Sequence, residues 1–394
     1  MSINSIIEER INKIEKSINE NILSISLDLS DGFLGISLFY YYLFLYRKEE
    51  YYLTKSIEII ENVFEKLNNG SEYNSNDIIE LIKYLYFLYS QKIIDINEIE
   101  SSLEQLDLYL IKILDSKLEN NDLDSLNGLI SLGHLFLDLS EINPKYLTNL
   151  IKILRIIDTT KKSRNDDNEY FWFFNMRDKL DPIIEFGYFH GISGVVYFLT
   201  CLCEKKIEFE KCKNIITKAI LFLEKNKRKD EINFYPYSIN SINEHRYQKY
   251  QNINYGDIGV GYAIYKSGLI LQNEAFKKIG IETMENSANF RDDRGDYIKD
   301  AELIYGSSGL FAFFDKMENE HSSKLFKIAR QYWMEKTINY NNNKTKFAGY
   351  ETYINGFDED IQVSFAHGIA GIGIALINYK LDLKHEYLKF FNYR

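Results

Sequence analysis

The chain is poor in proline: only Pro144, Pro182 and Pro236 occur in 394 residues, and none interrupts a strongly periodic stretch. Nothing in it therefore breaks long helices. Cysteine is equally sparse. Cys201, Cys203 and Cys212 are odd in number and clustered in one short span, which excludes a disulfide framework and fits a reducing compartment. Basic residues are outnumbered, with 47 Lys and Arg against 58 Asp and Glu and a net charge of −11. That balance argues against nucleic acid and favours a neutral or cationic partner. Glu8, Glu9 and Arg10 stand where a secretory signal would need its apolar core. The longest uncharged stretch, Phe186 to Cys203, contains His190 and three glycines, so it reads as a buried helix with its preceding loop and no membrane span is expected. The expected location is cytoplasmic.

What the chain does have is a recurring glycine motif. It reads Asp31-Gly32-Phe33-Leu34-Gly35, His190-Gly191-Ile192-Ser193-Gly194, Tyr255-Gly256-Asp257-Ile258-Gly259, Tyr305-Gly306-Ser307-Ser308-Gly309 and His367-Gly368-Ile369-Ala370-Gly371. A sixth copy, Asn127-Gly128-Leu129-Ile130-Ser131, lacks the second glycine. Most steps between leading glycines, 50 to 65 residues, suit one helical hairpin; the step of 96 is too long for one. Within it, Asn74-Ser75-Asn76-Asp77 precedes the apolar run Ile78 to Tyr89, giving a glycine-free unit and seven units in all.

Each motif opens an almost wholly apolar run, and a helix apolar on all sides is buried on all sides. Between these runs lie amphipathic charged segments such as Asn143 to Asp158 and Ser322 to Thr337. Buried inner helices inside a ring of half-exposed outer ones satisfy both patterns, and closing the ring removes any need for terminal caps. The expectation is an all-α, α/α toroid forming one domain over residues 1–394. A small surface insertion is expected around 158–185, where the charged stretch Lys161 to Asp167 meets the aromatic run Tyr170 to Phe174.

The ordered set Ser30-Asp31-Gly32-Phe33-Leu34-Gly35, Phe189-His190-Gly191-Ile192-Ser193-Gly194, Asn254-Tyr255-Gly256 and Ala366-His367-Gly368-Ile369-Ala370-Gly371 resembles the LanC-type lanthionine synthetases, the lanthipeptide cyclases. The resemblance runs over roughly the whole chain. It implies an α/α toroid of seven inner and seven outer helices. It also implies an enzyme that adds cysteine thiols of a precursor peptide to dehydrated Ser or Thr, with a dehydratase or transporter as further partners. In the family a zinc ion held by two cysteines and a histidine activates the thiol, while a histidine and an aspartate manage the proton of the enolate. The three ligand positions fall on Asn254, Ile304 and Tyr305, so no zinc or other cofactor is expected.

The remaining site positions are partly kept. His190 falls on the family's catalytic histidine, Asp124 shows the aspartate's spacing to Gly128, and Tyr255 matches a site tyrosine; these three are the candidate catalytic residues. Asp31, Asp257, Tyr305 and His367, beside the repeat glycines, are candidates for binding substrate. Tyr250 replaces a family arginine, for which Arg246 or Lys249 could substitute. Plainer roles stand beside these. His190 and His367 could cap buried helix starts, Asp124 could cap its own loop, and Tyr255 and Tyr305 could simply pack. Three functions follow: a zinc-independent thioether-forming cyclase, a non-catalytic binding or scaffold protein for precursor peptide or partner enzyme, and acid–base work by paired carboxylates such as Asp358, Glu359 and Asp360, as in helical-toroid glycosidases.

Overall fold

Helix burial follows the alternation of apolar and amphipathic segments. A computed structural model describes residues 2–21, 26–69, 74–174, 182–291, 298–341, 344–352 and 361–394. They fall into two compact units, Met1–Asp95 with Ile298–Arg394, and Ile96–Tyr297.

Numbered in chain order, the first unit contains α1 (Ile3–Asn21), α2 (Phe33–Arg47), α3 (Glu50–Asn68), α4 (Ser75–Ser90), α12 (Ser307–Glu320), α13 (Lys324–Asn339) and α14 (Ile369–Leu381). The even-numbered helices are buried over most of their length, whereas α1, α3 and α13 bury one stripe. On α1 the stripe is Ile7, Ile11, Ile14 and Ile18, all fully buried, and each contributes about 1.5–3 kcal/mol of transfer free energy. α14 packs against α1 and α2, α2 against α3, and α12 against α13. The glycine-free α4 is capped differently. Asn74 accepts from Asn76 and Asp77 while Asp77 accepts from the Asn74 N–H at 2.7 Å, a reciprocal capping box.

The second unit contains α5 (Ile96–Glu119), α6 (Leu129–Ile142), α7 (Leu147–Thr160), α8 (Ile192–Glu204), α9 (Phe209–Lys225), α10 (Asp257–Ile270) and α11 (Glu274–Ala288). The same alternation holds: α6, α8 and α10 are buried nearly throughout. Two small sheets accompany them. β1 (Lys162–Arg164) pairs antiparallel with β2 (Glu169–Phe171), while β3 (Ile184–Glu185), β4 (Ser238–Ile239) and β5 (His245–Arg246) form a three-stranded antiparallel sheet. The aromatic run expected on a surface insertion is largely core. Tyr170, Phe171, Trp172 and Phe174 are buried, Phe171 stacks on Phe222 of α9, and the Trp172 indole donates to the Ile157 carbonyl at 2.9 Å. Among the described residues of this stretch, Lys162, Ser163, the turn between β1 and β2, Phe173 and Pro182 are exposed, while 175–181 lie outside the described residues.

In both units, the loop ahead of several glycine motifs folds over the helix start that follows. Phe33 N–H donates to the Ser26 carbonyl at 2.9 Å, Leu129 to Asp122 at 2.6 Å and Ser307 to Asp300 at 3.0 Å. Main-chain carbonyls thus satisfy first-turn N–H groups that side-chain caps usually serve, and the glycines at these N-caps make no side-chain cap bond. Such close approach requires glycine. A first side-chain carbon on Gly191 would lie 2.5 Å from the Glu185 carbonyl oxygen, and one on Gly371 would lie 1.9 Å from that of Phe365.

Candidate functional site

In the second unit the capping loops join edge to edge. Ser125 N–H donates to the Phe189 carbonyl at 2.8 Å, and Tyr188 N–H to the Asn254 carbonyl at 3.3 Å. The first bond joins the residue after Asp124 to the residue before His190. It brings Asp124 Oδ2 to 2.5 Å from His190 Nδ1. The other oxygen, Oδ1, accepts from Leu126 and Asn127 N–H at 2.8 Å each, so the aspartate is both a loop cap and the histidine's partner. Burial raises this carboxyl, but the His190 hydrogen bond and charge, with the two loop N–H groups, outweigh it and hold Asp124 below the usual carboxylate range. Both side chains keep a share of exposure, 18% for His190 and 23% for Asp124.

Tyr255 lies against His190, with ring centroids 5.6 Å apart. Tyr250 and Tyr237 complete a cluster around Tyr255, at 5.3 and 5.6 Å. The three-stranded sheet places Tyr237, whose N–H donates to Arg246 and whose carbonyl accepts from Phe186. Asn233 fixes Tyr250 by donating to its carbonyl at 2.8 Å. Arg246 is exposed and sits 3.8 Å from Glu244, and Lys249 is exposed. Asp257, a candidate for binding substrate, caps a loop. It is buried, and its carboxylate accepts from the N–H groups of Phe234 and Tyr235. Burial pushes it up to about 7 against those N–H groups and the charge of Lys227.

The first unit gathers the other candidates. His367 and Glu302 form an ion-pair contact, Nδ1 to Oε2, at 3.4 Å, and Tyr305 stacks on the His367 ring at 5.5 Å and 15°. Ser364 Oγ donates to Asp31 and accepts from the His367 N–H, each at 3.3 Å. The loops are again bonded together: Leu303 and Ile304 N–H donate to the Ala366 carbonyl, and Ala366 N–H to Ser30. Glu302 is fully buried, and burial first, then the charge of Asp300, raises it to about 7 despite His367 and the Tyr305 N–H. Burial lowers His367, yet Glu302, Asp31 and Asp300 together raise it above the ordinary histidine value.

Sequence reading had no place for Glu302 or Tyr237. Glu302 carried a signal, since it precedes Gly306 by the same four positions that separate Asp124 from Gly128. Tyr237 carried none, because a sheet of two-residue strands places it. Asp358, Glu359 and Asp360 lie outside the described residues. The zinc positions do not fit the metal. Ile304 is buried and has no donor atom, Tyr305 is a stacked phenol, and no three His, Cys, Asp or Glu side chains gather to hold a metal among the described residues. Cys201, Cys203 and Cys212 are buried in α8 and α9 and form no disulfide. No described helix is long and apolar enough to cross a membrane.

A mostly helical chain carrying a histidine–aspartate pair on its glycine loops is matched by a solved structure, nisin cyclase, with a TM-score of 0.74, 18% identity, and 98% of this chain and 95% of that one covered. That likeness shows the fold, the α/α toroid class. A GH76A α-1,6-mannanase from Salegentibacter sp. aligns over 96% and 99% of the two chains at 11% identity and a TM-score of 0.48, too low to carry an argument. No curated protein sequence matches the chain. The family described as lanthionine synthetase C-like protein matches residues 24–392, and the chain belongs to it.

Proposed function

We propose that this protein closes thioether rings without zinc, adding cysteine thiols of a precursor peptide to dehydrated Ser or Thr. The observation that carries the reading is the His190–Asp124 pair at 2.5 Å. Asp124 accepts from the Nδ1–H, which leaves Nε2 of the imidazolium as the acid. Attack of the sulfur on the β-carbon pushes the π electrons toward the carbonyl, and Nε2–H delivers the proton to the α-carbon. Tyr255 packs beside that ring, and Asp31, Tyr305 and His367 are assigned to the peptide. A dehydratase that makes the substrate, and a transporter for the product, are the further partners this reading carries, with action in the cytoplasm.

The three-tyrosine cluster, where the family has an arginine, favours a second reading: a non-catalytic protein that holds precursor peptide or a partner enzyme. One assay separates the two. A dehydrated, thiol-bearing precursor is incubated with the protein, and remaining thiols are alkylated and weighed. Loss of alkylatable thiol at constant peptide mass supports cyclisation; unchanged thiols with measurable peptide affinity overturn it in favour of binding.

A further inference from the structure

His367 and Glu302 repeat, within the first unit, the construction of His190 and Asp124 in the second. In each pair the histidine immediately precedes a leading glycine, Gly191 or Gly368. The carboxylate stands four residues before the leading glycine of the preceding repeat, Gly128 or Gly306. The same main-chain bond joins them: the N–H after the carboxylate donates to the carbonyl before the histidine, Ser125 to Phe189 at 2.8 Å and Leu303 to Ala366 at 3.3 Å.

The second pair is nevertheless left open where the first is closed. Asp124 has its loop N–H groups and a short contact to His190. Glu302 is fully buried, and neither of its oxygens, nor Nδ1 of His367, makes a hydrogen bond of ordinary geometry among the described residues. Only the Tyr305 N–H and His367 act to lower its carboxyl, and a buried carboxylate so loosely held is costly to ionise. The groups facing His367 are Glu302, Asp31, Asp300 and the stacked Tyr305. Three carboxyl groups around one imidazole make it a stronger base.

We propose that His367, held by Glu302, is the base that takes the proton from a substrate cysteine thiol; this rests on the thioether-forming reading above. A free thiol is only a few per cent ionised at neutral pH, so ring closure needs such a base when no metal supplies the activation. The S–H bond breaks and its proton passes to Nε2, since Nδ1 faces Glu302. The freed sulfur pair forms the bond to the β-carbon of the dehydroamino acid, and the displaced π pair is protonated at the α-carbon. His367 then returns its proton to water. Its place supports this role, because Ala366 is bonded to Leu303 and Ile304 and Tyr305 stacks on the His367 ring, which sets His367 beside two of the positions that lack metal donors, Ile304 and Tyr305.

The test uses two short peptides with one dehydroalanine each, one carrying cysteine and the other selenocysteine, whose selenol is already ionised at neutral pH. His367→Asn is expected to slow closure of the cysteine peptide about 10²-fold and that of the selenocysteine peptide less than about 3-fold, with Glu302→Gln changing rates in the same direction by less. Equal slowing with both peptides, or none, overturns the proposal. A second readout does not need ring closure: the rate at which iodoacetamide labels the thiol of an undehydrated cysteine peptide bound to the protein. Faster labelling on the parent protein than on His367→Asn supports the proposal even if no ring forms, in which case only the thioether reading fails. Equal labelling on the two proteins overturns the proposal.

Discussion

Asp257, in the first turn of α10, accepts the backbone N–H of Phe234 at 2.5 Å and holds a charge-averse position in the core. Its carboxyl titrates near 7, as do those of Glu80 and Glu302, all raised first by burial. An unfolded chain would titrate them near 4. Folding therefore takes up protons between those values, and the stabilisation is complete below the unfolded value and lost as pH rises through about 7. Asp124 and Asp315 are shifted downward and act with the opposite sign, but only as pH falls below the unfolded carboxylate value. Urea unfolding should show greater stability at about pH 5 than at about pH 8, and Asp257→Asn should shrink that difference. An unchanged difference in the variant would contradict the buried assignment.

Gly191→Val should cost about 1–3 kcal/mol, because its first side-chain carbon would meet main-chain atoms of Glu185 at 2.5 and 2.6 Å that cannot rotate away. Thermal melting against a surface substitution such as Lys249→Ala measures it. An unaltered melting temperature would mean that the loop shifts freely, against the main-chain capping described above.

His190→Ala should lower ring closure by about 10²-fold or more while peptide affinity stays nearly constant, since loss of an acid acts on the transition state. Asp124→Asn should lower it less, because the asparagine still holds the ring but stabilises the imidazolium poorly. Single-turnover rates with separately measured affinities check both; a change confined to affinity would assign the pair to binding.

Chelator should leave the melting temperature unchanged, and elemental analysis of the purified protein should give less than about one zinc per chain. Stoichiometric zinc would redirect attention to His190 and His367.

Asp315→Ala should be destabilising by about 3 kcal/mol or more without affecting any activity. Asp315 Oδ2 lies 2.5 Å from His385 Nε2 and its other oxygen 2.9 Å from Arg330, and removing it strands His385, which is nearly fully buried. Chemical denaturation provides the measurement.

The helical repeat was legible in the sequence because the glycines, the caps and the apolar runs are local signals; even glycine-free α4 announced itself through Asn74 and Asp77. Pairing was legible only where it obeyed the repeat. The His190–Asp124 contact follows from two motif positions, and the Glu302–His367 contact follows from the same two, three repeats further on. The Asp315–His385 link joins a mid-helix residue to one outside any motif, 70 residues away, so no spacing rule reaches it. Asp257 illustrates the converse: it sits beside a repeat glycine, yet nothing in the sequence tells that the 233–235 loop turns back onto it.

Where main-chain carbonyls do the capping, the side chain just ahead of the leading glycine is not needed as the helix cap. Asp31, Asn127, His190, Tyr255, Tyr305 and His367 occupy this one register, and they include an acid, an amide, two imidazoles and two phenols. The scaffold therefore behaves as a rack of interchangeable sockets. At such a position one reagent can stand in for another without disturbing the cap of the helix that follows it.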